Sequence, residues 1–194
     1  MPWLLRQKAR TPIDDKVTGM TNDFTPASPV ALPAHSGVAD CYKAVHLADA
    51  FSIRLPLNAA YDPELLARFI FASQPGWVAA LMGMRDAVAA PFGLKTGRQL
   101  SALANNDQAS RVGIFKVYNK SDTEIVLGED DRHLDFRISV LCSGDGGPRR
   151  VTVSTVVTCH NRLGRSYLFV IAPFHRMVVK ASLTHAARRG WPQA

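Results

Sequence analysis

The alternation of apolar and polar side chains is strongest in the second half of the chain. From His133 to Cys142, apolar residues take every second position, beginning with Leu134 and Phe136. A period of two is typical of a strand with one buried and one polar face. The glycine-rich turn at 144–148 favours a hairpin between this strand and Val151–Cys159. By the same pattern we predict further strands at Val112–Tyr118, Glu124–Leu127 and Ser166–Ala172.

A second periodicity, of three and four residues, predicts helices. The first begins at Asp62-Pro63-Glu64, where Asp62 caps the amino terminus and Pro63 takes the first helical position. The second spans about Trp77 to Ala90. A third opens at Pro173 near the carboxyl end of the chain. A short opening strand at Tyr42–Val45 precedes them all.

The order of these elements indicates the fold class. One strand, two helices, a run of antiparallel strands and a terminal helix predict an α+β protein. We expect a curved antiparallel sheet wrapped around the C-terminal helix, the helix-grip architecture, with space for a ligand between sheet and helix. Prolines punctuate residues 1–38, which predicts an irregular N-terminal arm; residues 39–190 are expected to form a single domain.

The composition narrows the class of protein. Of the 194 residues, 47% are hydrophobic and 20% charged, as in globular proteins. The net charge of +7 is spread along the chain, which indicates a solvated basic surface and no nucleic-acid binding. No apolar run approaches the ~20 residues that span a bilayer, and no apolar secretory segment follows the N-terminus. We therefore expect a cytoplasmic protein without a membrane span, as a monomer or homodimer.

The sequence offers little evidence for a bound cofactor or metal ion. Cys41, Cys142 and Cys159 are odd in number and widely spaced, which predicts reduced thiols rather than disulfides or a zinc site. No GxGxxG or GxSxG motif is present, so we expect neither a nucleotide cofactor nor serine hydrolysis. Histidines such as His160 and His175 lack a fixed metal-binding spacing. We expect no metal and no cofactor.

The most distinctive chemistry lies in the charged run Leu127–Arg137. An acidic turn leads into a strand on which His133, Asp135 and Arg137 share one face. A functional interpretation makes this face a polar site at a cavity mouth, with Asp135 or Asp131 as base or anchor and Arg137 holding a carboxylate or enolate-like substrate. The alternative, which we favour, is a salt-bridge network between neighbouring strands.

Several long motifs resemble one bacterial family, the domain-of-unknown-function family 2867. They are Val126–Arg137, Thr155–Val157, His160–Leu168 and Pro173–Arg176 with Val178-Val179. The similarity runs from about Ala39 through Leu183. The family has no established activity to carry over, but the resemblance implies a fold similar to the helix-grip, START-like or Bet v 1-like (SRPBCC-like) superfamily. Similar domains also occur fused behind short-chain dehydrogenase-like modules, which this chain lacks.

Together these observations favour a small-molecule binding module that holds an apolar or amphipathic ligand between the sheet and the C-terminal helix. The predicted wall residues are Phe136, Trp77, Phe174 and Met177, and the predicted polar contacts are Arg137 and His133. One alternative is a cofactor-independent cyclase or dehydratase in which Asp135 and His133 transfer protons. Another is a structural or interaction domain with a filled core.

Overall fold

The computed structural model describes residues 26–78, 80, 81, 83, 111–144 and 147–194. Its strands are β1 (Ser28–Val30), β2 (Leu47–Arg54), β3 (Arg111–Val112), β4 (Phe115–Lys120), β5 (Glu124–Asp130), β6 (Leu134–Ser143) and β7 (Arg150–Cys159). Its helices are α1 (Pro63–Ala72) and α2 (Arg162–Arg189). Within the described residues the strands form one antiparallel sheet in the order β1-β2-β7-β6-β5-β4-β3. The protein is α+β with an antiparallel sheet and a C-terminal helix, as predicted.

The β6–β7 hairpin at the centre of the sheet confirms the strongest sequence signal. Its register is unbroken from the pair Leu134–Cys159 to the pair Ser143–Arg150. Gly144 begins the turn with a φ of +118°, a conformation that glycine adopts without steric strain. The predicted β5 is longer than expected, because its pairing with β6 extends into the charged run as far as Asp130.

Helix α1 begins where the sequence predicts it. The side chain of Asp62 accepts a hydrogen bond of 2.7 Å from the backbone N–H of Leu65, and Pro63 opens the helix. Leu66 and Ile70 are buried in the main core against the sheet. Residues 76–78, 80, 81 and 83 are also helical, in line with the second predicted helix. The rest of that helix and the following segment to residue 110 lie outside the described residues.

The predicted opening strand at Tyr42–Val45 is wrong, since the strand begins only at Leu47. The residues before it pack across the sheet instead of joining it. Val38 is fully buried against Val126 and Val156 on the face of the sheet opposite α2, and the ring of Tyr42 packs beside them. Within the predicted N-terminal arm, residues 28–30 form β1 and pair with β2; residues 1–25 lie outside the described part.

The predicted strand Ser166–Ala172 and the helix start at Pro173 are also wrong. A single helix, α2, runs through both, with Pro173 in its interior. Asn161 is its cap, accepting a hydrogen bond of 3.0 Å from the N–H of Gly164. A run of consecutive apolar residues fits a buried strand as well as a helix. Proline lacks the N–H group that would donate to the carbonyl of Phe169, so it is uncommon inside a helix and common at a helix start. For this reason Pro173 suggests a helix start in the sequence.

Helix α2 lies across one face of the sheet and contacts β2 and β7. Its second half is packed into the core through Leu183 and Ala186, both fully buried. Its first turn lies directly against the turn between β5 and β6. A side chain at Gly164 would collide with the carbonyl of His133, so glycine permits this close approach. No helix in the described part of the chain is both long and apolar enough to cross a membrane.

Candidate functional site

The first half of α2 contacts the sheet through Leu168, which packs with Leu47 and Val157, and lies beside a cavity. The cavity has a volume of about 420 Å³, within the range of small-molecule sites. Its sheet wall comes mainly from β2, β6 and β7, and its other wall from α2. The side chains that line it include Leu47, Leu134, Phe136, Ile138, Thr155, Val157, Tyr167, Leu168, Val170, Ile171, Phe174, His175 and Val178.

The apolar wall follows from the alternation along the strands. Leu134, Phe136 and Ile138 of β6 all line the cavity, with Val157 paired to Phe136 in register. The ring of Phe136 meets that of Phe115 edge to face, with the ring centroids 5.8 Å apart. The alternation that predicts a half-buried strand therefore also gives the sheet an apolar surface on the side that faces α2.

Three polar residues interrupt this surface, and we call them the inner cluster: Asp49, Thr155 and His175. Asp49 on β2 lies opposite Thr155 on β7 in register. His175 of α2 reaches down to them, with its Nε2 3.4 Å from Oδ1 of Asp49. Arg176 approaches the other carboxylate oxygen at the same distance, 3.4 Å. Thr155 and His175 line the cavity.

The inner cluster is poorly satisfied. Both carboxylate oxygens of Asp49, Oγ1 of Thr155 and Nε2 of His175 are buried, and none has a hydrogen bond from the described residues. A buried polar atom without a hydrogen bond costs about 1–3 kcal/mol. Thr155 and His175 also line a second space of about 270 Å³ that extends toward α1. Thr155 and His175 therefore lie where the two spaces share a wall, and Asp49 lies beside them.

The charged run forms a different arrangement on the opposite face, the outer network of Tyr118, Asp130 and Arg137. The Arg137 guanidinium carbon lies 3.5 Å from the centroid of the Tyr118 ring. Its Nη2 is 2.8 Å from Oδ1 of Asp130, and the Tyr118 hydroxyl donates a 2.7 Å hydrogen bond to Oδ2. Gly128, opposite Arg137 in register, leaves room for the arginine, because a Cβ there would lie 2.9 Å from the arginine Cδ.

The pKa shifts in the outer network indicate that its side chains stabilise the fold. Burial and the hydrogen bond to Asp130 raise the pKa of Tyr118 to about 12. Burial works against the charged form of Asp130, but the hydrogen bonds from Tyr118 and Arg137 outweigh it and lower the pKa of that carboxyl. Both shifts favour the protonated tyrosine beside a charged carboxylate, so the network is held in one protonation state around neutral pH.

His133 and Asp135 hold the start of α2 to the sheet. Nδ1 of His133 is 2.9 Å from the side-chain nitrogen of Asn161, the cap of α2. Asp135 Oδ1 lies 3.0 Å from Nε2 of His160 and accepts a 3.0 Å hydrogen bond from the backbone N–H of Asp131. These contacts join the β5–β6 turn to the end of β7.

The predicted site residues thus fall into two groups. Phe136 and Phe174 line the cavity, as their predicted role requires. Arg137, His133 and Asp135 do not line it: Arg137 belongs to the outer network, and the side chains of His133 and Asp135 contact Asn161 and His160 at the start of α2. Trp77 and Met177, which are 41% and 47% exposed, are also outside the lining. Ligand binding by any of these residues remains a prediction.

The inner cluster is not among the predicted site residues. The signal was present in β2, where Asp49 is the one charged residue among the inward positions Leu47, Phe51 and Ile53. A lone carboxylate on the apolar face of a strand must be paired or functional. Its partner His175 could not be identified, since the helix that carries it was predicted to begin only two residues earlier.

In the described part of the chain, neither the cysteines nor the possible metal ligands form a disulfide or a metal site. Cys41, Cys142 and Cys159 are free thiols. Burial raises the pKa of Cys142 to about 11, which disfavours the nucleophilic thiolate. Among the described residues, no group of three or more His, Cys, Asp and Glu side chains is placed to hold a metal ion.

Fold and site together define an α+β protein with a largely apolar cavity between an antiparallel sheet and a C-terminal helix. The model of one family, "Protein of unknown function (DUF2867)", matches residues 41–182. This match covers most of the chain, so the protein belongs to the DUF2867 family, and the resemblance in its motifs is confirmed. No curated protein and no solved structure matches the chain.

Proposed function

We propose that this protein is a helix-grip, START-like module that binds one apolar or amphipathic small molecule between the sheet and α2. The observation that carries the proposal is the cavity of about 420 Å³, whose wall is mainly apolar and includes Thr155 and His175 of the inner cluster. Apolar surface removed from water contributes roughly 25 cal/mol per Å². A mainly hydrocarbon or aromatic molecule is the ligand that such a wall favours.

The inner cluster indicates where a polar end of the ligand is placed. Asp49 accepts hydrogen bonds, Thr155 both donates and accepts, and His175 offers a ring nitrogen. These atoms are buried without hydrogen bonds from the described residues. Of these three residues, Thr155 and His175 line the cavity and Asp49 lies beside them. A neutral hydroxyl group can accept from the threonine and bond to the imidazole, so we propose that the preferred ligands carry one hydroxyl at an otherwise apolar skeleton.

Native mass spectrometry of the purified protein, followed by denaturation and extraction, is the first test. We expect a one-to-one adduct that is released on denaturation and partitions into organic solvent. Titration with the apolar fluorophore N-phenyl-1-naphthylamine should give saturable binding at one site. Binding that is absent or not saturable would contradict the proposal.

A pair of neighbouring substitutions locates the probe. Val157 faces the cavity and Thr158, the next residue of β7, faces the opposite side. Val157→Trp should fill the cavity and weaken binding at least about tenfold, a loss of ~1.4 kcal/mol. Thr158→Trp is the matched control and should bind as the wild type does. Equal binding by the two variants would place the probe elsewhere and refute the proposed site.

A cofactor-independent enzyme in the same cavity is the second candidate. The observation that favours it is the close approach of His175 and Asp49 in apolar surroundings. An imidazole held by a carboxylate is suited to proton transfer. The proton-transfer roles predicted for Asp135 and His133 therefore pass to the inner cluster. If an extracted molecule is turned over, Asp49→Asn should abolish turnover while retaining cavity occupancy; unchanged turnover would exclude this candidate.

A further inference from the structure

The outward face of the first half of α2 is both apolar and basic. Phe169 is 84% exposed and Val170 55%, and the 39% exposed Phe174 and the 47% exposed Met177 follow them along the same helix. Exposed basic side chains share this face: Arg162, Arg165, Lys180 and Arg176, whose Nε also contacts Asp49. We call these eight residues the α2 face.

The charged side chains of α2 are all of one sign. Among the 28 residues of α2 there are six Lys and Arg residues and no Asp or Glu. A helix exposed only to water usually carries both signs of charge, since opposite charges one turn apart stabilise it. Single exposed apolar residues are common on protein surfaces, but four of them within one short stretch form a patch that marks an interaction surface.

We propose that the α2 face docks the protein on an anionic lipid surface. Basic residues near such a surface are attracted to its phosphate and serine headgroups. Apolar side chains on the same helix face enter the boundary between headgroups and acyl chains. Phe169 and Val170 lie between the arginines rather than apart from them. A bilayer satisfies this mixture without a matching shape, whereas an acidic protein would need apolar pockets at matching positions.

The α2 face is continuous with the cavity. Val170 and Phe174 are exposed on the outside and also line the cavity. A docked protein would therefore present the cavity wall to the bilayer, and an apolar ligand could pass between them with little exposure to water. This last step rests on the proposed function, but docking itself does not.

Vesicle flotation tests the docking directly. The full chain is mixed with vesicles of phosphatidylcholine alone or with an equal part of phosphatidylserine, at low and at high salt. We expect binding only to the vesicles that contain phosphatidylserine, and weaker binding as salt screens the charges. Phe169→Asp should lower the partition coefficient at least about tenfold, and Arg165→Glu at least about fivefold. Both positions are exposed, and thermal unfolding should confirm that the variants fold.

Two control variants match these changes away from the α2 face. Leu57, 83% exposed in the turn after β2, is as accessible as Phe169, so Leu57→Asp removes an equally exposed apolar side chain. Arg54 is exposed on β2, and Arg54→Glu makes the same charge change as Arg165→Glu. Both controls should bind anionic vesicles as the wild type does.

Three results would overturn the docking proposal: no binding to anionic vesicles, equal binding to neutral ones, or equal losses in the controls. A dimer that Phe169→Asp abolishes, without vesicle binding, would assign the α2 face to a second copy of the chain and overturn it likewise. The binding of N-phenyl-1-naphthylamine is measured without vesicles. Failure of docking is therefore distinguishable from failure of the cavity proposal.

Discussion

The polar residues on the two faces of the sheet differ in how completely they are hydrogen-bonded. In the outer network, Arg137, Tyr118 and Asp130 are joined by an ion pair, a hydrogen bond and a cation–π contact. In the inner cluster, Asp49 has ion-pair contacts of 3.4 Å to His175 and Arg176, but its oxygens and that of Thr155 are buried without hydrogen bonds from the described residues. The first arrangement is fully hydrogen-bonded, whereas the second is not.

This difference separates stability from function. The charged run is the most conspicuous part of the sequence, yet the described structure uses it to join strands β4, β5 and β6. Asp49 is inconspicuous, but it lies beside a cavity large enough for a ligand. Sites that bind or react often hold polar groups at some loss of stability. The following predictions test whether the two faces differ in this way.

Removal of Arg137 should have the largest effect on stability. Arg137→Ala deletes the cation–π contact with Tyr118 and the ion pair with Asp130. We expect the free energy of unfolding to fall by about 2 kcal/mol. The melting temperature, measured by circular dichroism, should then drop by about 4–8 °C. Binding of N-phenyl-1-naphthylamine should not change.

Two further variants sharpen this result. Arg137→Lys keeps the charge without the flat guanidinium and should lose part of the stability. Arg132→Ala, at an exposed position in the neighbouring turn, should leave the melting temperature unchanged. A melting temperature of Arg137→Ala equal to that of wild type, with weaker probe binding, would return Arg137 to the ligand-binding role that its sequence suggests.

Alkaline pH should weaken the outer network by a smaller amount. The folded protein holds the pKa of Tyr118 at about 12, whereas the unfolded value is about 10. Stability from the protonated tyrosine is therefore full below about pH 10 and is lost as pH rises from there through the folded pKa. Urea unfolding across this range should show a shallower decline for Tyr118→Phe. Burial raises the pKa of Tyr42 as well, so some decline remains; an identical decline in wild type and Tyr118→Phe would be inconsistent with this account.

The smallest effect on stability is expected at Asp49. Asp49→Asn keeps the shape of the side chain and removes a charge whose nearest basic groups, on His175 and Arg176, lie 3.4 Å away without a hydrogen bond. The melting temperature should stay within about 2 °C of wild type, equivalent to less than ~1 kcal/mol. Competition of dodecanol against N-phenyl-1-naphthylamine should weaken about tenfold, while the affinity for the fluorophore itself is retained. A fall in melting temperature as large as that of Arg137→Ala would show that the two faces do not differ.

Local signals in the sequence were sufficient for much of the fold. The cap formed by Asp62 and Pro63, and the alternation along β6, depend on neighbouring residues only, and both predictions are confirmed. The strand predicted at Ser166–Ala172 failed because its consecutive apolar residues suit either element. The cap at Asn161 decides between them, but an Asn-containing segment is equally typical of a turn.

The candidate site required the tertiary structure. Alternation was enough to predict Phe136 as a wall residue, since it depends on one strand. The same alternation places Arg137 on the other face, so the two residues could not both contact one ligand inside the cavity. The approach of His175 to Asp49 joins a helix and a strand from distant parts of the chain. No local pattern reports such a contact.

The charges of the side chains in the first turn of α2 are unfavourable for the dipole of the helix. Aligned peptide groups give the amino end of a helix a partial positive charge, which favours acidic side chains there. The first turn of α2 has no acidic residue, and Arg162 and Arg165 add positive charge at that end. An adjacent anionic surface would relieve this repulsion and a neutral one would not. Charge at the surface would thus raise the resistance of the bound protein to heat, quite apart from holding it in place.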